Sequence, residues 1–230
     1  MATDYSTESK RVTAAFLSYV VDCDDDWKLE KKSEGVHVFC RDSSSLSGKV
    51  YKSEVMLDAS PETVLAMVNP VKTYRQQWDG FLEKIETVAK VDANTYLIYH
   101  VVKPALKGII SARDSLDVVT VGATDRYYFV SAGGVEHPDY PPQPKYVRSF
   151  QHPAGYVIYR DSDDVNRCKF VMLLHVDLNI NQVGKMMINM VKPTLMIQKI
   201  QNLRDGLKSL TVQDSDATDC LSCSTAITKA

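Results

Sequence analysis

The sequence lacks a strong excess of charge of either sign, and it lacks any long apolar run. It has 27 Lys and Arg residues against 29 Asp and Glu residues, for a formal net charge of −2 at pH 7. This balance argues against the broad cationic surface that nucleic-acid binding requires. The densest apolar stretch, 170–176, is short and contains His175, so no membrane-spanning helix is predicted. A hydrophobic fraction of 44% is typical of a globular chain.

Cysteine is scarce and scattered, and the first residues lack the basic start and apolar core of a signal peptide. Five cysteines, an odd number, are expected to be free thiols in a reducing compartment, which predicts a cytoplasmic protein. Cys220 and Cys223 form a single C-x-x-C in a polar segment. Without a second ligand pair, this segment is better interpreted as a disordered end than as a zinc or redox site, and no metal site is predicted.

The order of apolar patterns predicts an α+β domain. Residues 7–21 carry one apolar stripe at helical spacing, with Ser6 or Thr7 as the expected N-cap. Ser60 and Pro61 begin a second helix that runs to about Val68, and a short helical segment leads into 74–80. A long helix is predicted over 185–210, with a kink at Pro193. Strands are predicted at 27–31, 35–41, 49–57, 82–91, 94–102, 110–121, 126–133, 145–151, 155–161 and 167–178.

Two of these strands, 94–102 and 167–178, are apolar on both faces. An antiparallel strand with one solvated face should instead alternate apolar and polar residues. Each strand therefore needs two apolar surroundings. One is the packed core. The other is either a covering helix or a lipid-filled tunnel, although a thick core explains the pattern equally well.

A few polar residues stand out against this apolar background. Arg75 and Asp79 are four residues apart and can pair on one helix face. Arg113 and Asp114 open an otherwise largely apolar strand. Each pair can be an ordinary surface ion pair, or it can be one of the few polar groups that orient a ligand in an apolar cavity.

Several linked motifs resemble the START (StAR-related lipid transfer) domain family over about residues 7–210. They are YRQQWD at 74–79, ISARD at 110–114, GVEH at 134–137 with the Pro-rich loop after it, YVRSFQHPAGY at 146–156 and LHVDL at 174–178. The loop and the His-Pro-x-Gly stretch are most similar to the small stand-alone cytosolic members that bind sterols and bile acids. The resemblance implies a helix-grip fold: a strongly bent antiparallel sheet of about nine strands around the C-terminal helix, with an internal lipid tunnel. It also implies a lid made of the 103–108 loop and the last helix. The predicted START domain spans 1–211, and residues 212–230, rich in Asp, Ser and Thr, are expected to form a disordered tail.

Residue roles follow from the resemblance where the motif matches. Arg75 and Asp79 correspond to a pair that contacts the lipid head in some members, and His100 is the polar candidate on the strand before the lid loop. Steroidogenic members carry a buried Glu–Arg pair that corresponds to His100 and Val119 here, so that pair is missing. Lys199 replaces a pocket-facing aromatic residue and is expected either to reach solvent or to meet a polar ligand end. The predicted ligand-binding residues are Arg75, Trp78, Asp79, Tyr99, His100, Val102, Arg113, Asp114, Ser131, Leu173, Met196, Lys199, Ile200 and Leu203.

The function expected from this resemblance is non-enzymatic, intracellular binding and transfer of one rigid apolar lipid, such as a sterol or bile acid. The alternatives are another apolar cargo, such as a carotenoid or phospholipid, or an enzyme that uses the same cavity. The sequence gives no support to the enzyme hypothesis, because its histidines do not have metal-ligand spacing and it contains neither a G-x-S-x-G motif nor a Gly-rich phosphate loop. The expected protein is a monomer with a bound lipid, no cofactor, no nucleic-acid partner and transient contact with a membrane surface.

Overall fold

Helices and strands follow one another in the order that the sequence pattern predicts. The computed structural model describes residues 4–21, 26–43, 48–213 and 216. In that part of the chain the helices are α1 (Tyr5–Val20), α2 (Pro61–Val68), α3 (Tyr74–Trp78) and α4 (Gln182–Ser209). The first strands are β1 (Lys28–Ser33), β2 (Val36–Asp42), β3 (Lys49–Leu57), β4 (Leu82–Lys90), β5 (Thr95–Val102), β6 (Arg113–Ala123) and β7 (Tyr127–Gly134). The remaining strands are β8 (Val147–Arg148), β9 (Phe150–Gln151), β10 (Ala154–Arg160), β11 (Cys168–Leu174) and β12 (Val176–Asp177).

The helix starts are fixed by side-chain caps. At α2 the prediction is confirmed: Ser60 Oγ accepts a hydrogen bond from the Thr63 amide at 3.2 Å, and Pro61 occupies the first helical position. At α1 the predicted cap is wrong, because the Asp4 carboxylate accepts from the amides of Ser6 and Thr7 at 3.1 and 3.3 Å. An aspartate acceptor there begins the helix earlier than Ser6 or Thr7 would.

Nine antiparallel strands form the main sheet, in the order β1-β2-β3-β11-β10-β7-β6-β5-β4. β8 adds to β6 in parallel, and β9 pairs with β12 in a separate two-stranded sheet. The predicted strands 145–151 and 167–178 are each interrupted. Ser149 separates β8 from β9 and donates its amide to Asp114 O at 2.9 Å. His175 separates β11 from β12, and its carbonyl accepts from the His152 amide at 2.9 Å.

The sheet is apolar on both faces because a helix covers each of them. On one face, Phe16 of α1 packs with Val157 and Val171, and Val12 packs with Leu97 and Val118. On the opposite face, α2, α3 and α4 pack against the same strands in a larger cluster. The doubly apolar strands therefore have the two apolar surroundings that their sequence requires.

Helix α4 closes the second face of the sheet. It is 28 residues long, contains Pro193 and begins three residues before its predicted start, because Asn181 Oδ1 caps it by accepting from the Gly184 amide at 2.9 Å. Near its C-terminal end α4 contacts the hairpin formed by β1 and β2, where Arg204 Nη1 donates a hydrogen bond to Glu34 O at 2.8 Å. Its buried face is built from Ile188, Lys192, Pro193, Met196, Ile197, Ile200, Leu203 and Gly206.

The segment predicted to be disordered from 212 is only partly described. Val212 packs against the main cluster, and Asp216 accepts hydrogen bonds from Lys72 at 3.0 Å and Tyr74 at 2.6 Å. The predicted disorder of the rest, including Cys220 and Cys223, falls outside the described residues.

Candidate functional site

A cavity of about 260 Å³ lies between α4 and the sheet face that α4 covers. This volume is slightly below the range for small-molecule pockets, which begins at about 300 Å³. The lining is mostly apolar and is supplied by β5, β6, β7, β11 and α4. Its main apolar members are Ile98, Val102, Val119, Val130, Met172, Ile188 and Met196.

One end of the cavity holds a buried carboxylate with two cations, which we call the Asp79 cluster (Arg75, Asp79 and Lys199). Asp79 follows α3 and is 3% exposed. Its Oδ2 lies 2.9 Å from Lys199 Nζ and 3.4 Å from Arg75 Nε. Burial opposes ionisation of Asp79, but Lys199 and Arg75 outweigh it and lower the pKa of this carboxyl to about 2. The Asp79 cluster is therefore ionised and internally paired.

His100 and Asp117 lie beside this cluster on neighbouring strands. Asp117 Oδ2 is 3.3 Å from His100 Nδ1 and accepts from Ser115 Oγ at 2.9 Å. Burial raises the pKa of Asp117 to about 7. Burial, together with the charges of Arg75 and Lys199, lowers the pKa of His100 to about 3, so the imidazole is neutral. The pair is therefore a neutral or singly charged polar contact and not a full ion pair.

The second carboxyl oxygen of Asp117 has a different environment. Oδ1 is buried and has no hydrogen-bond partner among the described residues. A buried polar atom left without a partner costs about 1–3 kcal/mol. Asp117 lines the cavity. A hydroxyl group of a ligand in the cavity would satisfy this oxygen, as donor when Asp117 is ionised and as acceptor when it is protonated.

Two further cations line the cavity away from the Asp79 cluster. Arg113 donates from Nε to Leu178 O at 3.3 Å, and from Nη1 to the carbonyl and the hydroxyl of Ser111. Lys192 is 8% exposed, and its Nζ lies 5.4 Å from the centre of the Tyr51 ring. Burial lowers the pKa of Lys192 to about 8.

Seven of the predicted site residues line the cavity, and the alternation of strand faces separates them from several others. The lining members are Arg75, His100, Val102, Arg113, Leu173, Met196 and Lys199. Leu173 borders the cavity and also packs in the hydrophobic cluster that contains Phe16 of α1. Lys199, which could have reached solvent, points inward to Asp79 instead.

Three predicted residues lie on the sheet face that α1 covers, because neighbouring residues in a strand point to opposite faces. Tyr99 donates its hydroxyl to Asp114 at 3.1 Å, and Asp114 is held by two hydrogen bonds from Arg148 at 2.9 and 3.0 Å. Ser131 Oγ lies 2.6 Å from Thr13 Oγ1 on α1. Tyr99, Asp114 and Ser131 are therefore structural, and their assignment to the ligand site is corrected.

Four more predicted residues support the cavity from outside its lining. The Trp78 indole donates to Met67 O at 2.6 Å and packs under α4. Ile200 and Leu203 are 1% exposed and fill the core below the cavity. Asp79 reaches the cavity only through Arg75 and Lys199, whose side chains line it.

Sequence reasoning missed Asp117 and Lys192. Asp117 could have been found, because it shares the strand parity of Arg113 and Ser115 within an apolar run. Lys192 could have been found as the residue seven positions before Lys199, hence on the same side of a helix.

Exposed apolar side chains adjoin lining residues on α4 and just after the predicted lid loop. Ile109 is 67% exposed beside the lining residue Ile110, and Met190 is 80% exposed. Val183, Met186 and Met190 follow one helical face at spacings of three and four residues. Leu106 of the loop, by contrast, is half-buried, and it has a left-handed backbone with φ 52°.

Among the residues that the structure describes, none of the helices has the length and apolar composition that a membrane span requires. No group of three or more His, Cys, Asp or Glu residues there could hold a metal ion.

Comparison with known proteins gives one consistent family. A START domain model matches residues 8–212. StAR-related lipid transfer protein 5 of Bos taurus is 33% identical over 174 residues, covering 74% of this chain and 81% of the relative. StAR-related lipid transfer protein 6 of Homo sapiens is 25% identical over 207 residues, covering 90% and 93%. The solved structure of human StAR-related lipid transfer protein 5 superposes with a TM-score of 0.82 at 26% identity, covering 89% of this chain and 96% of that one.

Proposed function

The chain belongs to the START domain family, and we propose that it holds one rigid apolar lipid of the sterol class in its cavity and carries it between membranes without altering it. The observation that carries this proposal is the apolar cavity in which Asp117 Oδ1 has no hydrogen-bond partner from the part of the chain that the structure describes. The apolar walls favour a hydrocarbon body. The buried Asp117 Oδ1 favours a single hydroxyl group at one end of this hydrocarbon body.

The charges at this end favour a hydroxyl over an acid group. Asp79 already neutralises one of the two cations, Arg75 and Lys199, and Asp117 supplies a second carboxyl group beside them. A ligand carboxylate here would face Asp117, whereas a hydroxyl can donate to it or accept from it. A 3-hydroxysteroid, whether a sterol or a bile acid, fits this requirement better than a phospholipid, whose phosphate anion would also face Asp117.

The position of the steroidogenic pair supports a carrier that differs from the steroidogenic members. His100 and Val119 both line the cavity, so the two positions face the ligand even though the Glu–Arg pair is absent. His100 contacts Asp117 instead. The polar group that meets the ligand hydroxyl is thus supplied here by Asp117.

Burial energy is sufficient for such a carrier. Several hundred Å² of apolar ligand surface removed from water contributes about 10 kcal/mol before losses. Lost motional freedom and ordering of the lid offset much of it, which leaves nanomolar to micromolar affinity. Exposed Ile109 and Met190 are proposed to touch the membrane during release. The proposed protein acts as a cytoplasmic monomer.

The test is mass spectrometry of lipids that co-purify with the protein, followed by titration with vesicles that contain a labelled sterol. A hydroxylated steroid recovered unchanged at one molecule per chain would support the proposal. Recovery of a carotenoid or phospholipid would show that the cargo is that lipid and not a sterol. Binding of no apolar lipid, or conversion of the bound steroid to a product, would overturn it.

A further inference from the structure

Lys192 and Arg113 form a second polar region of the cavity, separate from the Asp79 cluster. Both line the cavity, and both adjoin Leu178: Arg113 donates to its carbonyl, and Lys192 shares a small side cavity with it. In the described part of the chain, neither cation has a carboxylate oxygen within 4 Å. This distinguishes them from Lys199, which has Asp79.

The donors at this end of the cavity are incompletely used. Arg113 donates from Nε to Leu178 and from Nη1 to Ser111, and its Nη2 has no acceptor among the described residues. The Lys192 ammonium has the face of the Tyr51 ring as its described contact. Asp177, Lys185 and Lys49 line the same side cavity as Lys192. Asp177 acts on Lys192 only through its charge at longer range, and the two lysines add positive charge.

An uncompensated buried cation costs free energy unless an anion neutralises it. Lys192 is 8% exposed and Arg113 is 5% exposed. Water therefore reaches each only slightly. A ligand carboxylate would pair with the ammonium and accept the free N–H groups of the guanidinium.

The spacing along α4 sets the length of such a ligand. Lys192 and Lys199 are seven residues apart, two turns of the helix, so their positions on the cavity side differ by about 10.5 Å along the axis. Asp117 and His100 lie beside Lys199, at one end of that distance. Lys192 marks the other end.

We propose that Lys192, assisted by Arg113, binds an anionic group at the second end of the cargo. The cargo is then a rigid apolar molecule with a hydroxyl at Asp117 and a carboxylate about 10 Å away. This inference rests on the proposed function, because it assumes that the cavity is the lipid site.

The test compares two probes, a 3-hydroxysteroid whose side chain ends in a carboxylate and the methyl ester of the same compound. We expect the wild-type protein to bind the acid about tenfold more tightly than the ester, the size of one charge-assisted hydrogen bond. Lys192→Met should bring the two affinities within about twofold, and Lys192→Arg should restore most of the preference. Lys185→Met is the matched control, since Lys185 lies on the same helix and lines only the side cavity.

Arg113→Gln is measured in parallel, with a thermal melt to check folding. If this variant does not fold, the Lys192 variants decide the question. An unchanged preference for the acid in Lys192→Met, or an equal loss in Lys185→Met, overturns the inference while leaving the proposed function intact. Absence of binding of both probes to the wild-type protein defeats the proposed function instead.

Discussion

Lys199 Nζ lies 2.9 Å from Asp79 Oδ2, closer than Arg75 Nε, which lies 3.4 Å from the same oxygen. The pair that the sequence indicates, Arg75 and Asp79 on neighbouring turns, is therefore the weaker half of a three-residue cluster. The shorter contact joins α4 to the end of α3, two elements far apart in the chain. It holds the C-terminal part of α4 against the cavity end that carries Asp117.

Lys199→Met should lower the free energy of unfolding by about 1–3 kcal/mol, because a buried carboxylate loses its nearer cation and keeps only Arg75. Lys192→Met, two turns earlier on the same helix, should leave it unchanged or raise it, since that ammonium is buried without an ion pair among the described residues. Urea unfolding of both variants checks the contrast. Equal losses in the two proteins would contradict the assigned pairing.

Asp117→Asn should change how stability depends on pH. The folded pKa of Asp117, about 7, is above the ordinary value of 3.8, so the folded state holds its proton more tightly than the unfolded chain does. The stability from this proton is present in full below about pH 4 and is lost as the pH rises to about 7. Relative to wild type, the Asn variant should therefore gain stability as the pH rises from about 4 to about 7.

Urea unfolding at four pH values in that range measures the difference. His100 contributes the opposite slope, because its pKa is lowered and its stabilising effect is lost as the pH falls below 6.5. His100 is present in both proteins, so the difference between their stability curves reports mainly on Asp117. Parallel stability curves for the two proteins would show that Asp117 is ionised throughout.

Gly206→Ala should lower the free energy of unfolding by about 1–3 kcal/mol through overpacking. A Cβ at this position would lie 2.6 Å from Trp78 Cβ and 2.8 Å from Met67 Cε. Gly184→Ala is the control on the same helix. There a Cβ meets its neighbours at 3.3 Å or more, and the alanine favours the helix. Thermal melts of the two variants should move apart, and a stabilised Gly206→Ala would refute the close packing of α3 on α4.

Ile109→Asp should slow transfer of a fluorescent sterol between vesicles severalfold while leaving equilibrium binding unchanged. The variant replaces an exposed apolar side chain beside the cavity lining with a charge, which disfavours contact with the apolar part of a membrane surface. Leu106, which lies in the loop that the sequence predicts as part of the lid, is half-buried and is a poorer choice. Val165→Asp, at a position 78% exposed in the turn between β10 and β11, is the matched control. Equal slowing in both variants would indicate a nonspecific charge effect.

The order of elements and most of their bounds could be read from the sequence, because each depends on local periodicity and on turn residues. Strand β3 lies at 49–57 as predicted, and the Ser60–Pro61 start of α2 is as predicted. The two interrupted strands could not be seen in this way. Their breaks at Ser149 and His175 are fixed by backbone hydrogen bonds to distant segments.

The candidate site was predicted less completely, for a geometrical reason. A motif read along the chain groups adjacent residues, but a strand sends adjacent residues to opposite faces. Tyr99 and His100 are neighbours, as are Arg113 and Asp114, yet in each pair one residue lines the cavity and the other does not. Lys199 and Asp79 meet only through the packing of α4, which no local pattern records.

The attachment of α4 is uneven along its length, and this separates two kinetic events. Its C-terminal half is fixed by Lys199 to Asp79, by Gly206 against Trp78 and by Arg204 to Glu34. Its N-terminal half carries exposed Met186 and Met190 and contributes Ile188 to the cavity wall. Displacing the first turns of α4 would rupture far fewer contacts than dissolving the sheet. Cargo exchange is thus expected to have its own, lower activation barrier, so the residence time of the lipid and the lifetime of the folded chain can evolve independently.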